Sequence, residues 1–190
     1  MSMPLAVRRF TVDEYHRMGQ AGVLHEDDRV ELIHGQIVTM TPIGDDHLSC
    51  VNRLHRLFAS LAHHDATPSV QNPVVLDQHE EPQPDFTLLR FRQDGYKARR
   101  PGAGDALLVI EVGDSSAAYD RKTKMPLYAE AGIPEAWLVD LPDDTLEVYR
   151  EPRGGRYHDV RTARRGGTVS PLAFPGLVLQ VDDVLGPLNP

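Results

Sequence analysis

Two carboxylates and a lysine stand where metal-assisted hydrolysis could use them. Pro84-Asp85 opens an apolar run, Phe86 to Leu89, and a second run, Leu107 to Ile110, delivers Glu111 at its end. Short runs as apolar as the second form strands buried on both faces. After Glu111 comes a turn of small polar residues, Gly113-Asp114-Ser115-Ser116, and then Asp120, Lys122 and Lys124 on a helical pattern. Carboxylate and backbone oxygens suit Mg²⁺ or Mn²⁺. Mg²⁺ usually takes one or two protein carboxylates and completes its shell with waters and substrate phosphates. Asp85 and Glu111 on neighbouring strands meet that need, with the carbonyl of Val112 as a third oxygen. A lysine beside them can orient an attacking water and balance charge on a scissile phosphate.

These residues need elements to hold them. Thr11-Val-Asp-Glu14 reads as a capping box, starting a helix that runs to about Gln20 and stops near Gly22. Arg29 to His34 and Gln36 to Met40 flank Gly35 as a tight hairpin. In its first arm Glu31 shares a face with Ile33, which puts an acid on a potentially buried side. Asp45 or Asp46 can cap a helix from about His47 to His63, with Leu48, Val51, Leu54, Leu57, Phe58 and Leu61 as its apolar stripe. Cys50 falls off that stripe and reads as a small packed thiol.

Ser69 to Asp77, with Pro73 inside, reads as an irregular or edge strand, and His79 to Pro84 as a turn. Strands are expected at Asp85–Leu89, Ala106–Val112 and Glu135–Asp140, and an antiparallel pair at Thr145–Tyr149 and Arg156–Val160 across Pro152 to Gly155. Tyr119 to Ala131 is helical in pattern, with Gly132 as its C′ residue. Pro126 would remove the hydrogen bond to the Lys122 carbonyl, so this helix kinks or begins near Met125. A helix between Val112 and Trp137 implies a right-handed crossover joining parallel strands. The order of elements predicts a mixed α/β or α+β sheet.

The totals limit the partners. The 190 residues, 41% hydrophobic and 25% charged, predict one domain, with a core over about 28–150 and further strands and a tail over 151–190. No signal-peptide h-region and no membrane-length apolar run is visible, so the expected compartment is the cytoplasm, with no membrane partner. Cys50 is the single cysteine, which excludes a disulfide framework and a cysteine-rich zinc site. The net charge of −8 argues against a general nucleic-acid coat protein. The basic residues gather instead at Arg90 to Arg100 and at Arg161, Arg164 and Arg165. No nucleophile elbow and no Cys/His pairing support a serine or cysteine hydrolase.

Taken jointly, several fragments resemble the Uma2 family, endonucleases of the PD-(D/E)XK superfamily. They are Val30 to Gly35, Pro42 to His47, Pro84-Asp85, Ile110-Glu111-Val112, Asp114-Ser115-Ser116 and Tyr119-Asp120 with Lys124 and Tyr128. Ala131-Gly-Ile-Pro-Glu135 and Trp137-Leu-Val-Asp140 complete the set. The resemblance runs from about Phe10 to Leu185. It implies a restriction-endonuclease-like core with Asp85 and Glu111 as metal ligands. The lysine usually found two residues after the glutamate is absent, since Gly113 stands there. The resemblance implies that Lys124 on the following helix replaces it; Lys122 competes, but 120 and 124 share an α-helical face and Asp120 would pair with Lys124. Glu31 is implied as an outer or second-metal ligand, and His47 as a phosphate or water contact. Ala136 stands where an aromatic residue is frequent.

The expected activity is Mg²⁺- or Mn²⁺-dependent hydrolysis of DNA, or of RNA, by a homodimer, with the Arg90–Arg100 loop on the nucleic-acid backbone. The alternative is a catalytically inactive homodimeric binding or scaffold protein that keeps the fold. The absence of a recognition helix or zinc module gives that alternative its weight.

Overall fold

The computed structural model describes residues 7–25, 27–61 and 65–187. Its centre is a six-stranded sheet in the order β3-β4-β5-β6-β7-β8. These strands are β3 (Ala66–Val70), β4 (Phe86–Arg90), β5 (Ala106–Gly113), β6 (Glu135–Asp140), β7 (Thr145–Arg153) and β8 (Arg156–Arg164). Neighbours are antiparallel except β5 and β6, which run parallel with Glu111 opposite Leu138. The crossover expected between Val112 and Trp137 is therefore present.

Side-chain alternation divides the sheet between two cores. Phe86, Leu88, Leu108, Ile110, Val112, Trp137 and Val139 face one side, where they meet Cys50, Val51, Leu54 and Phe58 of α2 (Asp45–Phe58). Phe58 lies 5.0 Å from Phe86 and 6.1 Å from Trp137, ring centre to ring centre. Fully burying such a ring contributes about 1.5–3 kcal/mol. The short helix α5 (Val181–Leu185) closes this side. Val109, Ala136 and Leu138 face the other side, under Met125, Tyr128 and Ala129 of α4 (Met125–Glu130). Glu111 shares a face with Val109, so the strand period aims its carboxylate at the α4 side. Glu135, wholly buried, instead serves packing: it accepts from Trp137 Nε1 at 2.9 Å and pairs with Arg150 at 2.7 Å.

Two expectations about α2 change. Gly44, not an aspartate, occupies its N-cap, and Asp45 and Asp46 sit in the first turn. Leu48 is half-exposed while Cys50 is sealed, so the buried stripe passes through the thiol and misses Leu48. The helix continues as a 3₁₀ turn, Ala59–Leu61; His63, its expected end, lies outside the described residues.

The capping box of α1 (Val12–Gln20) forms, with Glu14 N–H donating to Thr11 Oγ1 at 3.2 Å and Thr11 N–H to Glu14 at 3.0 Å. The hairpin of β1 (Val30–Ile33) and β2 (Gln36–Thr39) turns at His34 and Gly35, with φ of 54° and 69°, the left-handed pair of a tight hairpin turn. Leu32 and Glu81 exchange backbone hydrogen bonds of 3.2 and 2.8 Å, which ties this hairpin to the chain entering β4. At the far edge, β7 and β8 extend further than their apolar patterns, turning only at Gly154-Gly155. Pro152 lies beyond the last β6 partner, Arg150, and so costs that strand no hydrogen bond. The tail pairs briefly as β9 (Thr168–Val169) with β10 (Leu179–Gln180). Among the described residues no helix is long and apolar enough to cross a membrane.

Candidate active site

Glu31, His47, Asp85, Glu111, Val112, Asp120 and Lys124 all line one cleft of about 310 Å³. The β1-β2 hairpin with residues 40–44 forms one wall, and the turn from Asp114 into α3 (Ala117–Tyr119) forms the other. The walls come together where Gly44 meets Asp114: a Cβ on Gly44 would lie 3.1 Å from the Asp114 carboxylate.

Asp85 sits just before β4 and is held from three directions. Its Oδ2 accepts from the Val112 N–H at 2.9 Å; its Oδ1 lies 2.9 Å from His47 Nε2 and accepts from Gln71 at 3.4 Å. A strand residue turns its N–H and C=O to the same side, so the Val112 carbonyl faces this same edge. The Nδ1 of His47 is buried with no partner among the described residues.

Glu111 Oε1 accepts a very short hydrogen bond from the Tyr128 hydroxyl and lies 3.3 Å from Lys124 Nζ. Tyr128 is positioned by the end of α4. Ile133 N–H returns to the Tyr128 carbonyl and Gly132 N–H to Ala129, a Schellman closure that uses the left-handed Gly132 (φ 75°). Lys124 Nζ also lies 3.1 Å from Glu31 Oε2, which accepts the Gln83 N–H at 3.1 Å.

Asp120 does not form the expected ion pair with Lys124. Its Oδ2 accepts from Ser116 at 2.7 Å, while the lysine pairs with Glu31 and Glu111. The backbone explains the difference. Asp120–Lys124 is a π-turn, with Met125 N–H reaching the Asp120 carbonyl five residues back, so α-helical i,i+4 facing does not apply. Pro126, lacking an N–H, follows in the first turn of α4. Lys124 is buried and Lys122 exposed, so it is Lys124 that the fold brings to the carboxylates.

Burial raises the Glu111 carboxyl well above the usual range; Lys124 opposes this, and Asp120, Asp85 and Glu31 add to it. Burial likewise raises Asp120, against the pull of Lys124. For Lys124 burial disfavours the charge, but Glu111, Glu31, Asp120 and Asp85 together outweigh it and hold the ammonium protonated. Four acids thus converge on one ammonium.

Sequence reasoning assigned no role to Tyr128, Gln71, Gln83 or Arg29. Arg29 lines the cleft and donates to the Thr41 carbonyl at 3.1 Å. Only the joint spacing of Tyr128 with Asp120 and Lys124 carried a signal. The basic loop does not line the cleft. It joins the ends of β4 and β5 away from Asp85 and Glu111, and three of its four arginines pair with acids: Arg92 with Asp94 at 2.8 Å, Arg99 with Asp105 at 2.5 Å, Arg100 with Glu81 at 2.9 Å; Arg90 donates to the Gly104 carbonyl.

The donor set fits a hard divalent cation in kind. Asp85, Glu111 and the Val112 carbonyl offer only oxygens, as Mg²⁺ and Mn²⁺ prefer. Among the described residues no three His, Cys, Asp or Glu side chains cluster as a ready metal cage. Two carboxylates are the usual protein share for Mg²⁺.

The fold is a mixed α/β one, a six-stranded sheet between helices. A crystal structure of a "putative nuclease belonging to DUF820" from Anabaena variabilis superposes with a TM-score of 0.73 over 93% of this chain and 97% of that one, at 17% identity. Residues 12–182 match the Uma2 family, described as "Putative restriction endonuclease", and the chain belongs to that family. No curated protein matches.

Proposed function

We propose that this protein is a divalent-metal-dependent nuclease that hydrolyses DNA phosphodiester bonds at the cleft floor. The observation that carries the reading is the convergence of Asp85, Glu111 and a buried, protonated Lys124 beside the Val112 carbonyl. Membership of the Uma2 family supports it. Asp85, Glu111 and Val112 would hold Mg²⁺ or Mn²⁺, which supplies Lewis-acid stabilisation of negative charge at the phosphate.

The chain's own groups do the rest. Lys124 orients the attacking water and offsets charge that builds on the phosphate oxygens, in a buried setting where such an interaction is strong. Glu31 anchors Lys124 from the hairpin side. Tyr128 fixes the Glu111 carboxyl, and the Val112 N–H with His47 fixes Asp85. Four acids around one ammonium leave a surplus of negative character that a divalent cation would relieve.

Incubating the purified protein with single-stranded and duplex DNA in Mg²⁺, Mn²⁺ or EDTA tests the proposal. Cleavage that needs the ion and is lost in Glu111→Gln and Asp85→Asn is the expected result. Cutting in EDTA, or cutting indifferent to both substitutions, would sink it. No cutting and no ion binding would favour the binding or scaffold alternative.

A further inference from the structure

We propose that the cleft receives one unstacked nucleotide, so that the substrate is single-stranded or locally unpaired DNA rather than intact duplex. This rests on the nuclease reading and narrows its substrate.

Size gives the first argument. At about 310 Å³ the cleft stands at the lower end of the range of about 300–1,000 Å³ for small-molecule sites. Its walls meet at Gly44 and Asp114, which closes one end. Such a space holds a base and its sugar, not a section of double helix.

Charge gives the second. Duplex binders draw their affinity from neutralising many phosphates with lysines and arginines. Here the cationic lining is Arg29 and Lys124, and Lys124 is committed to Glu31 and Glu111. The basic loop stands outside the cleft lining, and three of its arginines, Arg92, Arg99 and Arg100, are paired with acids. Phosphate contact alone therefore gives this cleft little hold on DNA.

The walls offer a different hold. Tyr119 and Ile43, each 39% exposed, line opposite sides of the cleft, with Val38 and Met40 beside Ile43. The Tyr119 hydroxyl makes no hydrogen bond among the described residues, and its acidity is lowered by burial and then by Glu31. A ring exposed beside the acids is placed to stack a base whose phosphate reaches the floor. Stacking of this kind tolerates any sequence, because every base has a π-face. Arg29, with one N–H on the Thr41 carbonyl, has others free for a flanking phosphate.

Fluorescence anisotropy in EDTA, with a labelled short single strand, its blunt duplex and the same duplex carrying an unpaired bulge, tests the inference. The single strand and the bulged duplex should bind at least about tenfold tighter than the blunt duplex. Tyr119→Ala should weaken single-strand binding by about fivefold to a hundredfold and Tyr119→Phe should bind as the wild type does. In Mn²⁺, Tyr119→Ala should raise KM with kcat nearly unchanged. Equal binding of all three DNAs, or Tyr119→Ala without effect, overturns the inference; if Mn²⁺-dependent cleavage persists, the nuclease reading survives it. No binding and no cleavage of any form overturns both.

Discussion

Lys124 Nζ and Glu31 Oε2 lie 3.1 Å apart, with both side chains at least 94% shielded from solvent. The pair joins a π-turn to the first arm of the N-terminal hairpin. It therefore fixes the hairpin wall over the floor of the cleft, as well as setting the lysine beside Glu111. A buried ion pair is weak evidence for stability, because desolvation offsets much of its attraction. Its value here is positional.

Lys124→Met should separate the two effects. The substitution keeps most of the packing and removes the charge, leaving Glu31 and Glu111 without their cation. Removing one partner of a buried pair costs about 3–5 kcal/mol. A urea melt at neutral pH should show that loss. Ion-dependent cleavage should fall by about a hundredfold or more, the scale of removing one transition-state donor. A variant with wild-type cleavage would remove Lys124 from the mechanism.

Gly113 explains why the lysine is not closer to the glutamate in sequence. A Cβ at this position would lie 2.6 Å from Ala117 Cα and Cβ and 2.8 Å from its backbone nitrogen. The start of α3 thus occupies the space that any side chain would need. Gly113→Ala should destabilise the fold by about 1–3 kcal/mol, the usual cost of overpacking, measured as a lower midpoint in urea. Gly113→Lys in the Lys124→Met background should restore no cleavage.

Much of this was legible from local pattern. Strand alternation and apolar runs placed β4, β5 and β6, and a residue's position in a strand told which face Glu111 takes. The resemblance points to Lys124, but the facing argument that prefers it to Lys122 fails. The expected i,i+4 pairing with Asp120 assumes an α-helix, whereas a π-turn ahead of Pro126 changes the facing and gives Asp120 to Ser116. For the basic loop, composition shows charge but not partners: Asp94, Asp105 and Glu81 claim three of its arginines. Hydropathy ranks leucine above cysteine, but spacing decides: Cys50 is four residues before Leu54 and shares its buried face, whereas Leu48, six residues before it, is turned away. Tyr128 as a donor to Glu111 was unreadable, since it depends on two elements meeting in space.

Cys50 supplies a pH dependence remote from the acids' own titration range. Burial pushes its thiol up to about 12 from an ordinary 9.0, only partly countered by Arg53. The folded thiol thus keeps its proton where the unfolded one has lost it. The associated stability is fully present below pH 9 and is lost as the pH rises toward 12. Its size is on the order of 4 kcal/mol, at about 1.4 kcal/mol per tenfold change in proton affinity. Urea midpoints followed from neutral to alkaline pH should fall less steeply in Cys50→Ala than in the wild type. Equal slopes would show that the thiol does not contribute. Native protein should also resist alkylation by iodoacetamide until it unfolds.

Ion binding should be visible in stability before any DNA is added. If Asp85, Glu111 and Val112 hold a divalent cation, the ion binds the folded chain and not the unfolded one. It then stabilises by about 2.7 kcal/mol at a hundredfold excess over its dissociation constant. The thermal midpoint should rise with Mn²⁺ or Mg²⁺ and return with EDTA. Asp85→Asn should abolish the rise, because it weakens one ligand and frees the Val112 N–H from a charged acceptor. Asp144→Asn, outside the cleft lining and paired with Arg165, should keep the rise in full. A wild-type midpoint indifferent to both ions would argue that the acids serve only to hold Lys124. A rise that survives Asp85→Asn would place the ion elsewhere.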